Sequence, residues 1–530
     1  MYRALHDLIA IQAGQHPDRT ALVHKAEALS YGDTWEEAQR LAAGLQALGL
    51  TRGQRVAVFL EKRFETVLAI YAASAAGGVF VPVNPVLRPL QVAHILNDCA
   101  VTVLITSAER LDALGDLLEN CPSLQSIVVA GSTSSRTAAA PQLVSWQELM
   151  ATPAASLRLA HPLDGDMGAI LYTSGSTGHP KGVVLSHRNL LVGAESVSQY
   201  LENDPSDRIL SVLPLSFDAG LSQILTAARS GACCILLNYL LPREMPRVCA
   251  REKVTGLTGV PPLWFQLLNL DWPEDAAQSL RYFANTGGHL PRPAVMRLRE
   301  IFPKAAPYLM YGLTEAFRST YLDPREVDRR PDSMGKAIPN AEILVVREDG
   351  SPVDAGEVGE LVHRGPLVSL GYWNDPERTA ERFRPAPGQP AGLTLPEIAV
   401  WSGDLVRRDE DGFLYFVGRR DDMIKTSGYR VSPTEIEEVV FASGLVDEVA
   451  AIGLPHETLG QAIVLLVKPK DGAGADKDAL LAVCRQQLPA YMLPHQIEER
   501  QGLYRNPNGK IDRKRHAREL SVAAQESQYD

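Results

Sequence analysis

The chain has 530 residues, 45% of them hydrophobic and 22% charged, with a formal net charge of −11. Single cores seldom grow past about 250–300 residues, so this length implies more than one folding unit. The acidic balance excludes a general nucleic-acid or anionic-membrane surface, and any anion site must be local.

The opening stretch, MYRALHDLIAIQAGQHPDRTALV, carries Arg3, His6 and Asp7 where a secretory signal would need an apolar core. It reads as an amphipathic first helix. From about residue 28 to 160, helical segments such as YGDTWEEAQRLAAGLQALGL alternate with short apolar strands such as RVAVFL and VTVLIT, the rhythm of βαβ units. The longest uncharged run, Val67 to Leu87, is interrupted by Gly77, Gly78 and two prolines, which predicts a buried helix followed by a strand rather than a membrane span. GSTSSRTAAAPQ, residues 131–142, is Ser/Ala-rich and reads as a surface excursion.

LYTSGSTGHPKGVVLSH follows, from Leu171 to His187. Gly175 and Gly178 let the backbone turn sharply or approach a ligand, while Thr173, Ser174, Ser176 and Thr177 supply hydroxyls and amide donors to an anion. A P-loop would put glycine directly before its lysine and Ser or Thr directly after it; Lys181 sits between Pro180 and Gly182. The stretch reads as a nucleotide-phosphate loop of another type, with a plain polar connection between strands as the alternative.

A second alternating block has strands near 169–172, 209–213, 233–237, 256–258 and 281–285. Within it, Ser216 or Asp218 of LPLSFDAGLSQILTAARSG can cap a helix. MYGLTEAFRS offers an aromatic ring at Tyr311, a bend at Gly312, a hydroxyl at Thr314 and a carboxylate at Glu315. Beyond about residue 335 the texture becomes hairpins, AEILVVREDGSPV with its Asp349-Gly350 pair and then GELVHRG, so a β-rich third piece is expected. A Pro/Gly loop at 384–396 and a further hairpin lead to the charged cluster GRRDDMIKTSGYR. A helix starting near Pro433, capped by Ser432 or Thr434, opens a small α+β unit with a basic end. The six cysteines, Cys99, Cys121, Cys233, Cys234, Cys249 and Cys484, lack metal-ligand spacing and predict buried free thiols in a reducing compartment.

Five stretches in fixed order carry a resemblance: the Lys181 loop, LPLSFDAG, MYGLTEAFRS, WSGDLVRRDEDGFLYFVGRRDDMIKTSGYR and NPNGKIDRK. Together they resemble the adenylate-forming superfamily of acyl-CoA synthetases, peptide-synthetase adenylation domains and luciferase, over nearly the full length. The resemblance implies an α/β fold with a large N-terminal region, residues 1–420, holding two βαβ sheets and a β-rich subdomain. A small mobile α+β domain, 421–530, would follow, with its hinge at Asp421. It also implies an AMP-forming acid–thiol ligase using ATP and Mg²⁺, with coenzyme A as acceptor. The alternative is a stand-alone prolyl-like enzyme that loads the phosphopantetheine of a separate carrier protein. No carrier segment follows Lys510, so such a carrier would act in trans.

The resemblance also assigns roles. Tyr311 would stack on adenine beside the Gly287–Gly288 wall, while Thr314, Glu315 and Lys181 address the phosphates and Glu315 the magnesium. Asp404 would accept the ribose hydroxyls and Arg419 would contact phosphate and ribose. Lys425, Gly428 and Arg430 would face the site in a second conformation, with Gly428 beside the pantetheine path. Lys510, by default a solvated tail lysine, would bridge the attacking carboxylate and the α-phosphate. The acid pocket would be built from Asp218, Ala219, Ser222, Gly259, Asn285, Gly287, Met310, Arg318 and Ser319. In amino-acid-activating relatives the position of Asp218 pairs with the substrate ammonium, and Arg318 would bind a second carboxylate or merely hold Asp218. YGLTEAFRSTYL and PREVDRRPDSMGKAIPNAE look especially like exosortase-associated acyl-CoA ligases and prolyl-type carrier ligases. A cytoplasmic location is expected. A P-loop kinase leaves Lys510 and Asp404 unexplained, and a binding-only relative would typically lack Lys510, Glu315 or Asp404, all of which are present.

Overall fold

A computed structural model describes residues 2–131, 141–173, 180–390, 392–420, 422–426, 429–456, 459–470, 474–488, 490–506 and 509–526. Ser174, Gly175, Ser176, Thr177, Gly178, Asp421 and Gly428 lie outside the described residues, as do the side chains of Lys425 and Arg430.

Two mostly parallel sheets form the bulk. The first runs Gln142–Ser145, Ser126–Ala130, Val101–Ser107, Arg55–Phe59, Val79–Pro82, Met167–Thr173 and Lys181–Ser186, the last pair antiparallel. The second runs Lys336–Ala337, Thr320–Leu322, Ala306–Tyr311, Tyr282–Asn285, Gly256–Gly259, Arg208–Ser211, Cys233–Leu236, Thr20–His24 and Glu27–Ser30. Its six strands from Ala306–Tyr311 to Thr20–His24 are parallel. The first strand of the chain thus completes the second sheet rather than the first. Its apolar run cannot state a partner more than two hundred residues away.

Helices Tyr31–Ala47, Phe64–Ala76, His187–Tyr200 and Asp218–Ser230 contribute to one core that draws on strands of both sheets. Phe64–Ala76 is buried all round from Thr66 to Ala76, as its uncharged sequence requires. Each large apolar side chain buried there contributes about 1.5–3 kcal/mol. Among the described residues no helix is long and apolar enough to cross a membrane.

A third sheet joins Glu342–Val346, Val358–Arg364, Ile398–Arg408, Phe383–Pro385 and Leu414–Arg419. Its first hairpin turns at the expected Asp349-Gly350, where Gly350 has φ +84°. Beyond it, Ile424–Thr426, Tyr429–Val431, Val446–His456, Gly460–Pro469 and Gln496–Glu499 build a fourth sheet with its own apolar core, including Ile424, Ile436, Val449 and Leu465. Ser432, not Thr434, caps its first helix, Pro433–Ala442, accepting from the Glu435 amide at 3.4 Å. All six cysteines are buried free thiols.

Candidate active site

Parallel strands aim their carboxyl ends at one edge of a sheet, and that edge is where α/β folds hold ligands. In the second sheet these ends release Ser211 toward Asp218, Gly259, Asn285 with Gly287 and Gly288, and Tyr311 with Glu315. Residues hundreds of positions apart meet there.

Thr173 and Lys181 face each other as the last pair of an antiparallel ladder, so the strands close directly onto the phosphate-loop sequence. Lys181 Nζ reaches Glu315 Oε1 at 3.2 Å and the Tyr372 hydroxyl at 2.9 Å, and lies 4.2 Å from the centre of the Tyr372 ring. The Tyr372 hydroxyl donates to the same Glu315 oxygen. Burial would raise the Glu315 pKa, but Lys181 and the Tyr372 hydroxyl outweigh it and hold the carboxyl below the usual range. Tyr372 is a site residue that sequence reading missed. Its segment bonds to the strand Lys181–Ser186 through Leu370, Gly371 and Trp373, a pairing no local pattern announces. Thr173 Oγ1 is buried with no partner among the described residues.

Asp404 and Arg419 sit opposite each other on adjacent strands, with Arg419 Nε 2.9 Å from Asp404 Oδ1. The Tyr311 hydroxyl donates to the other Asp404 oxygen. The Asp404 carboxylate pushes the Arg419 pKa up, and burial followed by Asp404 does the same to Tyr311. Nearby, Asn285 Nδ2 donates to Gly288 O at 2.8 Å, holding the bend at Gly287, where φ is +76°.

Asp218 is the first residue of its helix; extended Phe217 is the N-cap and makes no side-chain cap bond, so neither Ser216 nor Asp218 caps. The Asp218 carboxylate instead takes a 2.7 Å bond from Arg318 Nη1, in a pair whose side chains are 16% and 3% exposed. Two features force this meeting. A Cβ on Gly220 would lie 2.0 Å from Pro214 O, so only glycine lets the helix start press on the preceding loop. Phe317 holds φ +57°, a conformation costing a non-glycine residue on the order of 1–3 kcal/mol, and its ring fills the space where Gly193 lacks a side chain.

Beyond this pair lies a small cavity with room for about one water molecule, lined by Ala219, Ser222, Met310 and Arg318 from the expected set, by apolar Val197, Leu201 and Ile209, and by Gln223, Thr226, Thr258 and Tyr282. Gly259, Asn285, Gly287 and Ser319 are not part of its described lining. Ser319 Oγ lies 2.9 Å from Nδ1 of the fully buried His363 instead. Gln223 and Thr226 were missed, although both follow Asp218 at helical spacing. Gln223 Oε1, Thr226 Oγ1 and Arg318 Nε are buried without partners among the described residues. Each such atom left dry costs about 1–3 kcal/mol.

The tail turn carries Lys510 over this edge. Its amide donates to Asn506 Oδ1 at 3.0 Å, and Arg505 bridges to Ile511. Lys510 is exposed to solvent. Partial desolvation by the neighbouring protein and the Arg419 guanidinium push its pKa down, against the opposing pull of Asp404, Asp218 and Glu315. Contacts between Phe265 and Phe441, 5.6 Å between ring centres, and between His289 and Glu438 at 3.7 Å join the tail unit to the bulk in this arrangement.

The sequence matches the model of the AMP-binding enzyme family over residues 9–373 and that of the AMP-binding enzyme C-terminal domain over 435–510. It is 31% identical to a long-chain-fatty-acid–CoA ligase of Salmonella typhimurium, over 97% of this chain and 94% of that one. It is 32% identical to an L-proline–[L-prolyl-carrier protein] ligase of Streptomyces coelicolor, over 95% and 94%. Among solved structures, ATP-bound MatB from Rhodopseudomonas palustris superposes with a TM-score of 0.84 at 26% identity, covering 97% of this chain and 98% of that one. An anthranilate CoA ligase in complex with anthranoyl-AMP gives 0.87 at 25% identity, covering 99% and 98%. The chain therefore belongs to the AMP-binding enzyme family and is an AMP-forming acid–thiol ligase.

Proposed function

We propose that this ligase joins a small carboxylic acid to ATP, releasing pyrophosphate, and passes the acyl group from the resulting adenylate to coenzyme A. The observation that carries the reading is Lys510, a tail lysine brought into electrostatic range of Glu315, Asp404 and Asp218 at once.

In the first half-reaction the acid oxygen bonds to the α-phosphorus while the bond to pyrophosphate breaks. Lys181 and Lys510 offset charge that accumulates on the phosphate oxygens, and such preorganised charge is the largest single catalytic contribution in most enzymes. Asp404, held by Arg419 and Tyr311, offers acceptor oxygens to the ribose hydroxyls. In the second half-reaction the thiol sulfur bonds to the acyl carbon and AMP leaves. No side chain need be acylated. We assign the hinge to Asp421 and give Lys425, Gly428 and Arg430 to the thiol-transfer conformation, following the family likeness.

Magnesium fits the donor set. Both Lys181 and Tyr372 address Glu315 Oε1, and Thr173 brings an unpartnered hydroxyl. Magnesium keeps several waters and is commonly held by one or two carboxylates together with substrate phosphates. Glu315 would hold it, and the ion would supply charge neutralisation of the departing pyrophosphate. The buried free thiols support a cytoplasmic enzyme, and the 311–342 sequence supports kinship with exosortase-associated ligases.

The second reading, loading a prolyl-like amino acid onto a carrier protein, draws on Asp218 and on the Streptomyces relative. Arg318 already neutralises Asp218, which favours the coenzyme A reading. Acid-dependent pyrophosphate release with Mg·ATP, across fatty acids and amino acids with and without coenzyme A, separates them. Turnover to acyl-CoA and AMP supports the first; a signal confined to amino acids and not completed by coenzyme A supports the second.

A further inference from the structure

Lys510 is exposed on a turn near the end of the chain, where a long side chain keeps most of its rotamer freedom, so its reach is set by whatever fixes the backbone beneath it. Two ion pairs within the tail unit grip that turn from either side. Before it, Arg505 reaches Glu448 at 2.7 Å and Gly509 O at 2.9 Å. After it, Arg513, the first residue of the helix Arg513–Glu526, closes on Glu437, with Nη2 2.6 Å from Oε2 and 2.8 Å from Oε1 and with Nε 3.1 Å from Oε1.

The second pair is the better enclosed. Glu437 and Arg513 are 13% and 26% exposed, against 21% and 34% for Glu448 and Arg505. Glu437 Oε1 also accepts the Ala451 amide at 2.8 Å, so one carboxylate ties together the helix Pro433–Ala442, the strand Val446–His456 and the start of the helix Arg513–Glu526. In each of these bonds Glu437 is the acceptor, a demand that an ionised carboxylate meets with both oxygens and an amide with only one.

The helix that carries Glu437 also carries contacts with the bulk. Glu438 faces His289 at 3.7 Å, and Phe441 meets Phe265. Arg513 lies in electrostatic range of Asp422 and Arg419, where the bulk passes into the tail unit. A continuous line of contacts therefore runs from the bulk through this helix, Glu437 and Arg513 to the turn of Lys510.

We propose that Glu437 is a positioning residue for adenylation: through Arg513 it fixes Lys510 relative to the bulk. The inference rests on the ligase reading above and on the part Lys510 plays in it. In that reading Lys510 serves the first half-reaction alone, so the pair that places it should serve that half-reaction alone.

The test uses the full chain with Mg·ATP and the fastest acid of a panel of straight-chain fatty acids, benzoate and proline. Adenylation is read as first-turnover pyrophosphate release without thiol, and thiol transfer as acyl-coenzyme A formed from preformed acyl-adenylate. Misplacing a reacting group by about 1 Å can cost about 10²-fold, so Glu437→Gln should slow adenylation by about 10- to 100-fold and leave thiol transfer near the wild-type rate. Arg513→Lys keeps the charge but loses the two-pronged grip, and should show the same split. Added to Lys510→Ala, Glu437→Gln should slow adenylation no further, because nothing is left to place. Equal loss in both half-reactions by both variants marks a pair that merely holds the fold and overturns the inference. An unchanged adenylation rate, or a full further loss on the Lys510→Ala background, overturns it as well and leaves the ligase reading intact. A wild-type protein that binds Mg·ATP yet releases pyrophosphate with no acid of the panel overturns the ligase reading and this inference with it.

Discussion

Replacing Tyr372 by Phe isolates one hydroxyl at the junction of the nucleotide site. The ring stays, with its edge-on contact to Phe383 at 5.6 Å and its face beneath Lys181. What disappears is the bond to Glu315 and the acceptor for Lys181 at 2.9 Å. Hydrogen bonds to charged groups contribute about 1.5–3 kcal/mol. Taking one such loss at the transition state, kcat/KM for Mg·ATP in pyrophosphate release should fall about 10- to 100-fold. Thiol transfer from preformed acyl-adenylate should change much less, because the pyrophosphate has already left. The acid limb of the pH profile gives an independent reading. Glu315 is held below its ordinary value of 4.5, so it remains ionised, and active, until pH falls beneath that value. Without the Tyr372 donor its pKa rises and activity is lost at higher pH. An unchanged acid limb together with an unchanged KM for Mg·ATP would refute the reasoning.

Further predictions follow from the same geometry. Lys510→Ala should slow adenylation by about 10²–10³ while sparing thiol transfer, measured as separate half-reactions. Arg318→Met strands the mostly buried Asp218 carboxylate and should cost about 3–5 kcal/mol in urea unfolding, with most of the loss recovered in the Asp218→Asn, Arg318→Met double variant. Gly220→Ala drives a Cβ against Pro214 O and should destabilise by about 1–3 kcal/mol or more, with a raised KM for the acid; wild-type unfolding would show that the loop simply moves aside. Burial lifts the Glu438 carboxyl to about 7, so its contact with the bulk carries no ionisation penalty below 4.5, weakens as pH rises toward 7 and is constant above. Proteolytic nicking between the bulk and the tail unit should therefore quicken across that window in wild type and lose the trend in Glu438→Gln.

The sequence by itself determined the elements whose cause is local. The buried helix at Phe64–Ala76, the Asp349-Gly350 turn, a capped helix start at Pro433 and the ladder running into the Lys181 loop all follow from side chains within a few residues of one another. The ordered motifs also sufficed to name the family, and in the structure Lys181 meets Glu315 and Asp404 meets Arg419. Only the tertiary structure decided the partners. That Thr20–His24 belongs to the second sheet, that Arg318 rather than a helix amide takes Asp218, and that Tyr372 joins Lys181 to Glu315 are facts of register and crossing between distant segments. The polar face of the helix Asp218–Ser230 shows the limit most plainly. Its glutamine and threonine are ordinary residues in sequence, and only folding buries Gln223 Oε1 and Thr226 Oγ1 where the surrounding protein leaves their hydrogen bonds unmet among the described residues.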